Sequence, residues 1–208
     1  MHAKICGVKD IKTLKFLISH KYPPKYIGFI CNYPKSHRNL GIKDLKSLTN
    51  IKKRKSNFVA VLVSPKLEFL KKISKIKFDF FQLYNVSPKK TLQIKKRFKK
   101  KIISAIQINK KIDVNNYKKY LDIADIILFD SKGYEKSMSF DHNLLDEVED
   151  HIEKMIAGNI KIEDVTNFKN KHYILDVSGS LESSKGVKDI NKIDKFLNTV
   201  HNINSWNK

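Results

Sequence analysis

Short apolar runs alternate with longer amphipathic segments along almost the whole chain. Several of the short runs are β-branched and apolar throughout, which is typical of strands buried on both faces of a sheet. The pattern predicts eight strands, of which the seventh has the weakest pattern. The predicted strands are Ala3–Cys6, Tyr26–Cys31, Phe58–Val63, Phe78–Leu83, Ile102–Ile108, Ala124–Phe129, Lys154–Ala157 and His172–Val177.

The segments between these runs have helical periodicity. Apolar residues within 11–18 and 190–200 form one broad face, and those from Leu67 to Ile76 recur at every third residue. Repeated alternation of strand and helix predicts parallel strands joined by crossover helices. Eight such units, without a linker or a shift in composition, favour a single (β/α)8 barrel (TIM barrel) over residues 1–208. A doubly wound open sheet fits the same periodicity.

Length and composition fit one domain. The chain has 208 residues, of which 41% are hydrophobic, and this is enough for a substantial core. No apolar run approaches the roughly 20 residues of a membrane span, and the first residues lack the pattern of a secretory signal. Two cysteines do not make a disulfide framework. We therefore expect a cytoplasmic protein with free thiols and no membrane association.

A strong positive charge is the main compositional bias. The formal net charge is +21, and 39 of the 42 basic residues are Lys. These Lys residues are spread along the chain between apolar segments, which indicates solvated helix faces; weak, salt-sensitive binding of polyanions is the alternative. The sequence has neither zinc-finger spacing nor an RNA-binding signature. We therefore expect no specific nucleic acid as a partner, and a basic nucleic-acid-binding protein is the alternative from another functional class.

Polar and small residues follow the predicted strands at their carboxyl ends, which converge on one mouth of a (β/α)8 barrel. A thiol, a guanidinium and a carboxylate from Cys6, Arg38 and Asp130 would meet there. The last two strands are followed by Gly158-Asn159 and Ser178-Gly179. Loops at these two places are a frequent phosphate site, because glycine lets backbone N–H groups approach an anion closely. Ordinary turns are the alternative interpretation.

Several segments between residues 4 and 197 form an ordered series of motifs at the spacing of barrel strands. They are Lys4–Gly7, Tyr26–Phe29, Pro34–Arg38, Phe81–Tyr84, Ile127–Asp130, Ser139–Asp141, Asp176–Ser183, Gly186–Asp189 and Lys192–Phe196. Together they resemble the signature of the phosphoribosylanthranilate isomerase family. The ordered series is far more specific than any one of its motifs.

The resemblance implies an Amadori rearrangement of N-(5-phosphoribosyl)anthranilate, an aminoaldose, to an aminoketose in tryptophan biosynthesis, without metal or organic cofactor. The family uses a Cys as general base and an Asp as general acid, and these positions correspond to Cys6 and Asp130. Arg38 corresponds to the residue that binds the anthranilate carboxylate. The other implied contacts are Gln82 and Asp176 with the substrate, and Gly158, Asn159, Ser178 and Gly179 with its phosphate.

Proton transfer near neutral pH requires shifted pKa values in both groups. We expect nearby cations to lower the pKa of the Cys6 thiol, and a secluded pocket to raise the pKa of the Asp130 carboxyl. The second thiol, Cys31, is expected to be structural or merely near the mouth. Tyr84 and the isolated His residues are expected to be surface or rim groups.

The chain departs from the family pattern at four places. Gly158-Asn159 stands where the family usually has two glycines, and Ser178-Gly179-Ser180 stands where it usually has Ser-Ser-Gly. The strand-four motif ends in Tyr84 instead of His, and Gly133–Met138 replaces a glycine-rich loop. The positions of the implied acid, base and guanidinium are unchanged. A weakened enzyme is therefore one alternative.

Another phosphosugar barrel is a further alternative. The isomerase of histidine synthesis acts on a related aminoaldose, but it uses two Asp residues at the mouth instead of a Cys and an Asp. The indole-forming synthase would need a Lys there as its acid. For the assembly, both a monomer and a homodimer are compatible with the sequence.

Overall fold

Eight parallel strands form a closed barrel in the computed structural model, which describes residues 1–131 and 139–205. The first strand pairs in parallel with the last, so that the sheet closes on itself. The predicted (β/α)8 barrel is therefore confirmed, and the open sheet is excluded. The barrel strands are β1 (His2–Cys6), β2 (Tyr26–Ile30), β3 (Asn57–Val63), β4 (Phe80–Tyr84), β5 (Lys101–Ile108), β6 (Ile126–Ser131), β7 (Lys154–Ile156) and β8 (Ile174–Val177).

Two of the crossover helices begin at a residue whose side chain caps the first turn. The Asp10 carboxylate accepts a hydrogen bond from the Thr13 N–H at 2.7 Å. The Ser87 hydroxyl accepts one from the Lys90 N–H at 3.4 Å, directly before a proline at the first helical position. The helices of the described residues are α1 (Ile11–Ser19), α2 (Ile42–Thr49), α3 (Leu67–Ile73), α4 (Pro88–Phe98) and α5 (Ile190–Ser205). None of them is both long and apolar enough to cross a membrane.

Three crossovers differ, in the residues that the structure describes, from the predicted alternation of strand and α-helix. The segments Lys111–Tyr120, Glu163–Phe168 and His142–Glu147 are 3₁₀-helices. The first two contain Asn and β-branched residues, which have low helix propensity, and the last two are only six residues long. These segments therefore cover the barrel with short turns of helix. After β8, a 3₁₀ turn (Gly179–Leu181) leads into the antiparallel pair β9 (Glu182–Ser184) and β10 (Val187–Lys188).

Alternation along each strand separates two hydrophobic clusters. Side chains that face the helices form the larger cluster, and inward-facing side chains such as Val61, Ile103 and Leu128 fill the barrel. The polar residues Lys4 and Gln82 share this inward face, because each lies an even number of positions from another inward residue of its strand.

Strand boundaries differ from the predicted ones by up to two residues at either end. β6 extends to Ser131, so Asp130 lies within a strand instead of after it. The inward positions of β6 are Ile126, Leu128 and Asp130, and the pleat therefore aims the Asp130 carboxyl into the barrel mouth. β4 begins at Phe80, because Phe78 precedes the paired strand and is buried in the outer cluster.

Candidate active site

A cavity of about 490 Å³ opens at the carboxyl ends of the barrel strands. It is the place at which the sequence predicts the chemistry of this chain. Of the nine residues to which the sequence assigns a role, eight line this mouth cavity: Cys6, Arg38, Asp130, Gly158, Asn159, Asp176, Ser178 and Gly179. The ninth, Gln82, is fully buried.

Cys6 is the last residue of β1, and 8% of its surface is exposed. A glycine on the neighbouring strand makes room for it, because a Cβ atom at Gly28 would lie 2.9 Å from the Cys6 Sγ. Burial raises the pKa of Cys6 above its ordinary value, although Lys4 and Lys188 lower it. The expectation of a lowered pKa is therefore wrong for the free protein, since removal from water and the nearby Asp176 carboxylate together disfavour the thiolate more than the two cations favour it.

The Asp130 carboxyl faces the cavity from β6. Burial raises its pKa to about 6, against the opposing effect of a hydrogen bond from Tyr84. The Asp176 carboxylate adds to the rise, and Lys4 opposes it. This direction agrees with the expectation from the sequence. A carboxyl group with this pKa keeps a protonated fraction near neutral pH, as a proton donor must.

A buried ion pair inside the barrel acts electrostatically on both Cys6 and Asp130. The Lys4 Nζ is 2.6 Å from the Asp176 Oδ2, and both side chains are almost completely buried. Barrel closure sets these two residues opposite each other in register. The Asp176 Oδ1 is buried and has no hydrogen-bond partner among the described residues, so it can accept a hydrogen bond from a ligand. Although burial opposes the charge of Lys4, Asp176 and Cys6 raise its pKa above the ordinary value.

The Arg38 guanidinium is held by Glu182. The Arg38 Nε lies 2.5 Å from the Glu182 Oε1, and the Nη2 lies 2.8 Å from the Oε2. Gly7 allows this approach, because a Cβ atom there would lie 2.4 Å from the Arg38 Cδ. Since Glu182 occupies only the Nε–Nη2 edge, the planar end formed by Nη1 and Nη2 still has two N–H donors for a carboxylate.

Lys188 ties this ion pair to the loop after β8. Its Nζ donates to the Glu182 Oε1 at 3.0 Å and to the backbone oxygen of Ser178 at 3.0 Å. Although burial opposes the charge, Arg38 and Lys188 lower the pKa of Glu182 to about 2. Sequence reasoning assigned no role to Glu182 or Lys188. Both stand within the C-terminal motifs, and that position is the signal that could have identified them.

The two small-residue loops meet at the cavity. Gly158 has a φ of 101° and Asn159 a φ of 53°, so both adopt the left-handed region. Asn is the side chain that best tolerates this region after glycine, which explains how it replaces the second glycine of the family pattern. The Ser180 hydroxyl donates to the backbone oxygen of Ile160 at 2.7 Å and thereby links the two loops. The altered Gly133–Met138 segment lies outside the described residues.

Three further side chains are placed by the structure. Gln82 reaches Asp130 only through Tyr84, whose hydroxyl hydrogen-bonds to both. Tyr84 is 7% exposed and lines the cavity, so the expectation of a simple rim group is wrong. The strand alternation aims it inward together with the rest of β4. Cys31 belongs to the outer core, where its thiol donates to the backbone oxygen of Phe29 at 3.1 Å, and it is structural as expected.

This arrangement defines a (β/α)8-barrel enzyme whose strand ends present a thiol, a carboxylic acid and a guanidinium to one cavity. Within that class, residues 3–199 match the family described as N-(5'phosphoribosyl)anthranilate (PRA) isomerase. The chain therefore belongs to this family.

Individual relatives agree with the family match. N-(5'-phosphoribosyl)anthranilate isomerase of Rhizobium johnstonii is 31% identical over 213 residues, covering 97% of this chain and 95% of the relative. The crystal structure of phosphoribosyl anthranilate isomerase from Thermotoga maritima has the same fold, with a TM-score of 0.86, 23% identity and coverage of 97% and 99% of the two chains. Another isomerase structure, in complex with reduced 1-(o-carboxyphenylamino)-1-deoxyribulose 5-phosphate, has a TM-score of 0.83 and 22% identity over 97% and 99% of the chains.

Proposed function

We propose that this chain isomerises N-(5-phosphoribosyl)anthranilate to 1-(2-carboxyphenylamino)-1-deoxyribulose 5-phosphate, a step of tryptophan biosynthesis. The family membership supports this substrate. The observation that carries the proposal is the presence of the Cys6 thiol and the Asp130 carboxyl, with its raised pKa, on the wall of one cavity. A sugar that must gain a proton on one atom and lose a proton from another requires two such groups.

In this proposal Asp130 and Cys6 act in successive steps. Protonated Asp130 gives its proton to the ring oxygen while the C1–O bond breaks, and the amine nitrogen forms a protonated Schiff base at C1. The Cys6 thiolate then removes the C2 proton, and the electrons of the C–H bond form the C1–C2 double bond of the enolamine. Protonation at C1 and loss of the proton on the C2 hydroxyl give the ketone and return both residues to their starting states.

The two pKa values determine which protonation state reacts. The reaction requires Cys6 as thiolate and Asp130 as acid, whereas the pKa of Asp130 is about 6 and the pKa of Cys6 is raised above its ordinary value. The reactive form is therefore a minor one. For such a pair kcat/KM rises with pH up to the pKa of the carboxyl and falls above the pKa of the thiol. The low-pH break of the profile thus reports Asp130, and the high-pH break reports Cys6.

Substrate anchoring follows from the same cavity. The free edge of the Arg38 guanidinium suits the anthranilate carboxylate, and the Asp176 Oδ1 suits a hydroxyl or N–H of the substrate. Backbone groups at Gly158-Asn159 and Ser178-Gly179 would receive the phosphate. Lys35 and Lys185 also line the cavity and favour a substrate with two anionic groups.

Arg38→Lys is expected to weaken substrate binding although the charge is kept. A Lys ammonium cannot bind Glu182 and present a planar fork to a carboxylate at the same time. Hydrogen bonds to charged groups contribute about 1.5–3 kcal/mol, so KM should rise roughly ten- to hundredfold while kcat changes little. Steady-state kinetics measure both values, and the exposed Arg97→Lys is the matched control. An unchanged KM in Arg38→Lys would show that Arg38 does not bind the substrate.

A direct assay tests the proposed function. The purified protein should consume phosphoribosylanthranilate, followed by the loss of its fluorescence, without added metal or organic cofactor. The related aminoaldose of histidine synthesis should react far more slowly. Its isomerase uses two Asp residues, whereas the second Asp of this cavity, Asp176, forms an ion pair with Lys4. Absence of turnover with the anthranilate substrate, together with tight DNA binding that survives moderate salt, would favour the nucleic-acid-binding alternative.

A cytoplasmic location, a monomeric or homodimeric state and the lack of specific nucleic-acid binding remain predictions from the sequence. Gel filtration with light scattering distinguishes the two assembly states.

A further inference from the structure

The hydroxyl of Tyr84 lies between two other polar side chains inside the barrel. It donates to the Asp130 Oδ2 at 2.8 Å, and it accepts from the Gln82 Nε2 at 3.2 Å. Gln82 is completely buried and Tyr84 is 7% exposed, so bulk water has little access to this chain of contacts. Sequence motifs point to Tyr84 only through its difference from the usual histidine.

The two hydrogen bonds run in one direction, from Gln82 through Tyr84 to Asp130. Because the amide of Gln82 donates to the phenol oxygen, the phenol is an acceptor there, and its single O–H is the donor to Asp130. Burial and the nearby Asp130 and Asp176 carboxylates raise the pKa of Tyr84 well above its ordinary value, so the phenol stays protonated and remains a donor. The Asp130 Oδ2 is thereby kept as a hydrogen-bond acceptor.

A neutral carboxyl carries its proton on one oxygen. While Oδ2 accepts from Tyr84, the proton of Asp130 must reside on Oδ1. We propose that Tyr84 is a positioning residue, held by Gln82, that assigns the transferable proton to the Asp130 Oδ1 and makes Asp130 a stronger acid. This inference rests on the proposed function, in which Asp130 is the proton donor.

Other charged and titratable groups also act on Asp130 from the surrounding strands. The Asp176 carboxylate on β8 raises its pKa, and Lys4 on β1 and the Ser131 N–H on β6 lower it. Cys6 on β1 acts on the phenol of Tyr84. Three cations, Lys35, Arg38 and Lys185, line the same cavity, and His37 lines it too. Substitution of Tyr84 leaves all of these groups in the protein, so a change in the pKa of Asp130 can be assigned to loss of the phenol hydroxyl.

Tyr84→Phe keeps the ring and removes the donor. Loss of a hydrogen bond to a charged carboxylate should move the low-pH break of kcat/KM from about pH 6 upward by about one pH unit. Loss of the assigned proton position should lower kcat on the order of ten- to a hundredfold. A residue that only fills space would leave the break in place. A break that stays, or moves to lower pH, overturns the proposal.

The chain offers a matched control. Tyr26 also faces the barrel interior, and its hydroxyl also interacts with a carboxylate, that of Glu153. Tyr26 is, however, the first residue of β2 and lies at the opposite end of the barrel. Tyr26→Phe should leave the low-pH break unchanged. Tyr84→His retains an N–H donor and should have a break nearer to that of the parent than Tyr84→Phe has. An equal displacement in Tyr26→Phe, or in Tyr84→His, contradicts a specific role for the Tyr84 hydroxyl.

Two further measurements test the role of Tyr84 even if Tyr84→Phe does not fold or if the proposed function is wrong. If Tyr84→Phe does not fold, a fluorinated tyrosine at position 84, a stronger donor, should move the break to lower pH; an unmoved break overturns the proposal. If the parent does not turn over the anthranilate substrate, a 13C NMR titration of the Asp130 carboxyl, assigned with Asp130→Asn, measures the same upward shift in Tyr84→Phe without substrate. An unshifted carboxyl contradicts the role of Tyr84, whereas an inactive parent contradicts only the function.

Discussion

Cys6→Ser should lose about 100- to 10,000-fold in kcat with little change in KM, because a positioned base typically contributes this much. A serine hydroxyl has nearly the size of the thiol but is far too weakly acidic to form the required anion at neutral pH. Gly28 leaves room for the side chain at this position, so the variant should fold. The measurement is steady-state kinetics beside a melting curve.

Asp130→Asn should lose a similar factor, because the amide keeps the shape of the carboxyl but has no proton to give. Neither residue can replace the other, since they act in different steps of the proposed mechanism. Both variants should still bind a product analogue.

The second thiol provides the control for the first. Cys31→Ser makes the same chemical change in the outer core, where the new hydroxyl can keep the hydrogen bond to the Phe29 backbone oxygen. It should change the melting temperature more than the turnover. Parental kcat in a folded Cys6→Ser would show that Cys6 is not the base.

Lys4→Met is expected to destabilise the protein by about 3–5 kcal/mol, because it leaves the buried Asp176 carboxylate without its cation. Both members of the pair are inside the barrel, where water cannot replace the lost partner. The change is measured by urea unfolding. It should also reduce turnover, since Lys4 lowers the pKa of Cys6 and no longer does so in the variant.

Two control variants distinguish the effect of leaving a buried charge unpaired from the effect of losing any lysine. Lys43→Met, at an exposed position of α2, should alter stability by less than about 0.5 kcal/mol. Lys4→Met combined with Asp176→Leu should recover most of the stability, because an apolar pair needs no compensation, but it should not recover activity. Stability of Lys4→Met equal to that of Lys43→Met would show that the ion pair is not structurally important.

Local pattern was sufficient for most of the architecture. Apolar, β-branched runs predict the eight strands because strands buried on both faces need such residues. The common carboxyl end of parallel strands then brings Cys6, Arg38 and Asp130 to one mouth without any knowledge of their distances. After β5, β6 and β7 the described helical segments are 3₁₀-helices, because low helix propensity and short length disfavour regular α-helices there.

The contacts that tune the site connect residues far apart in sequence. Lys4 and Asp176 are 172 positions apart, Arg38 and Glu182 are 144 apart, and Tyr84 and Asp130 are 46 apart. Their partnership depends on which strands become neighbours when the barrel closes and on how far each side chain reaches across it.

The sequence by itself determined the strand pattern and the residue types at the carboxyl ends of the strands, because these depend on local periodicity and on the shared direction of the strands. The periodicity left the open sheet possible, and the pairing of β1 with β8 decided that the sheet closes into a barrel. Only the tertiary structure decided that burial and Asp176 outweigh the cations in setting the pKa of Cys6, that Glu182 holds one edge of Arg38, and that Tyr84 donates to Asp130. The reason is physical: pKa values and hydrogen bonds depend on distance and on exclusion of water, and both are set when strands β1, β4, β6 and β8 are brought around one interior.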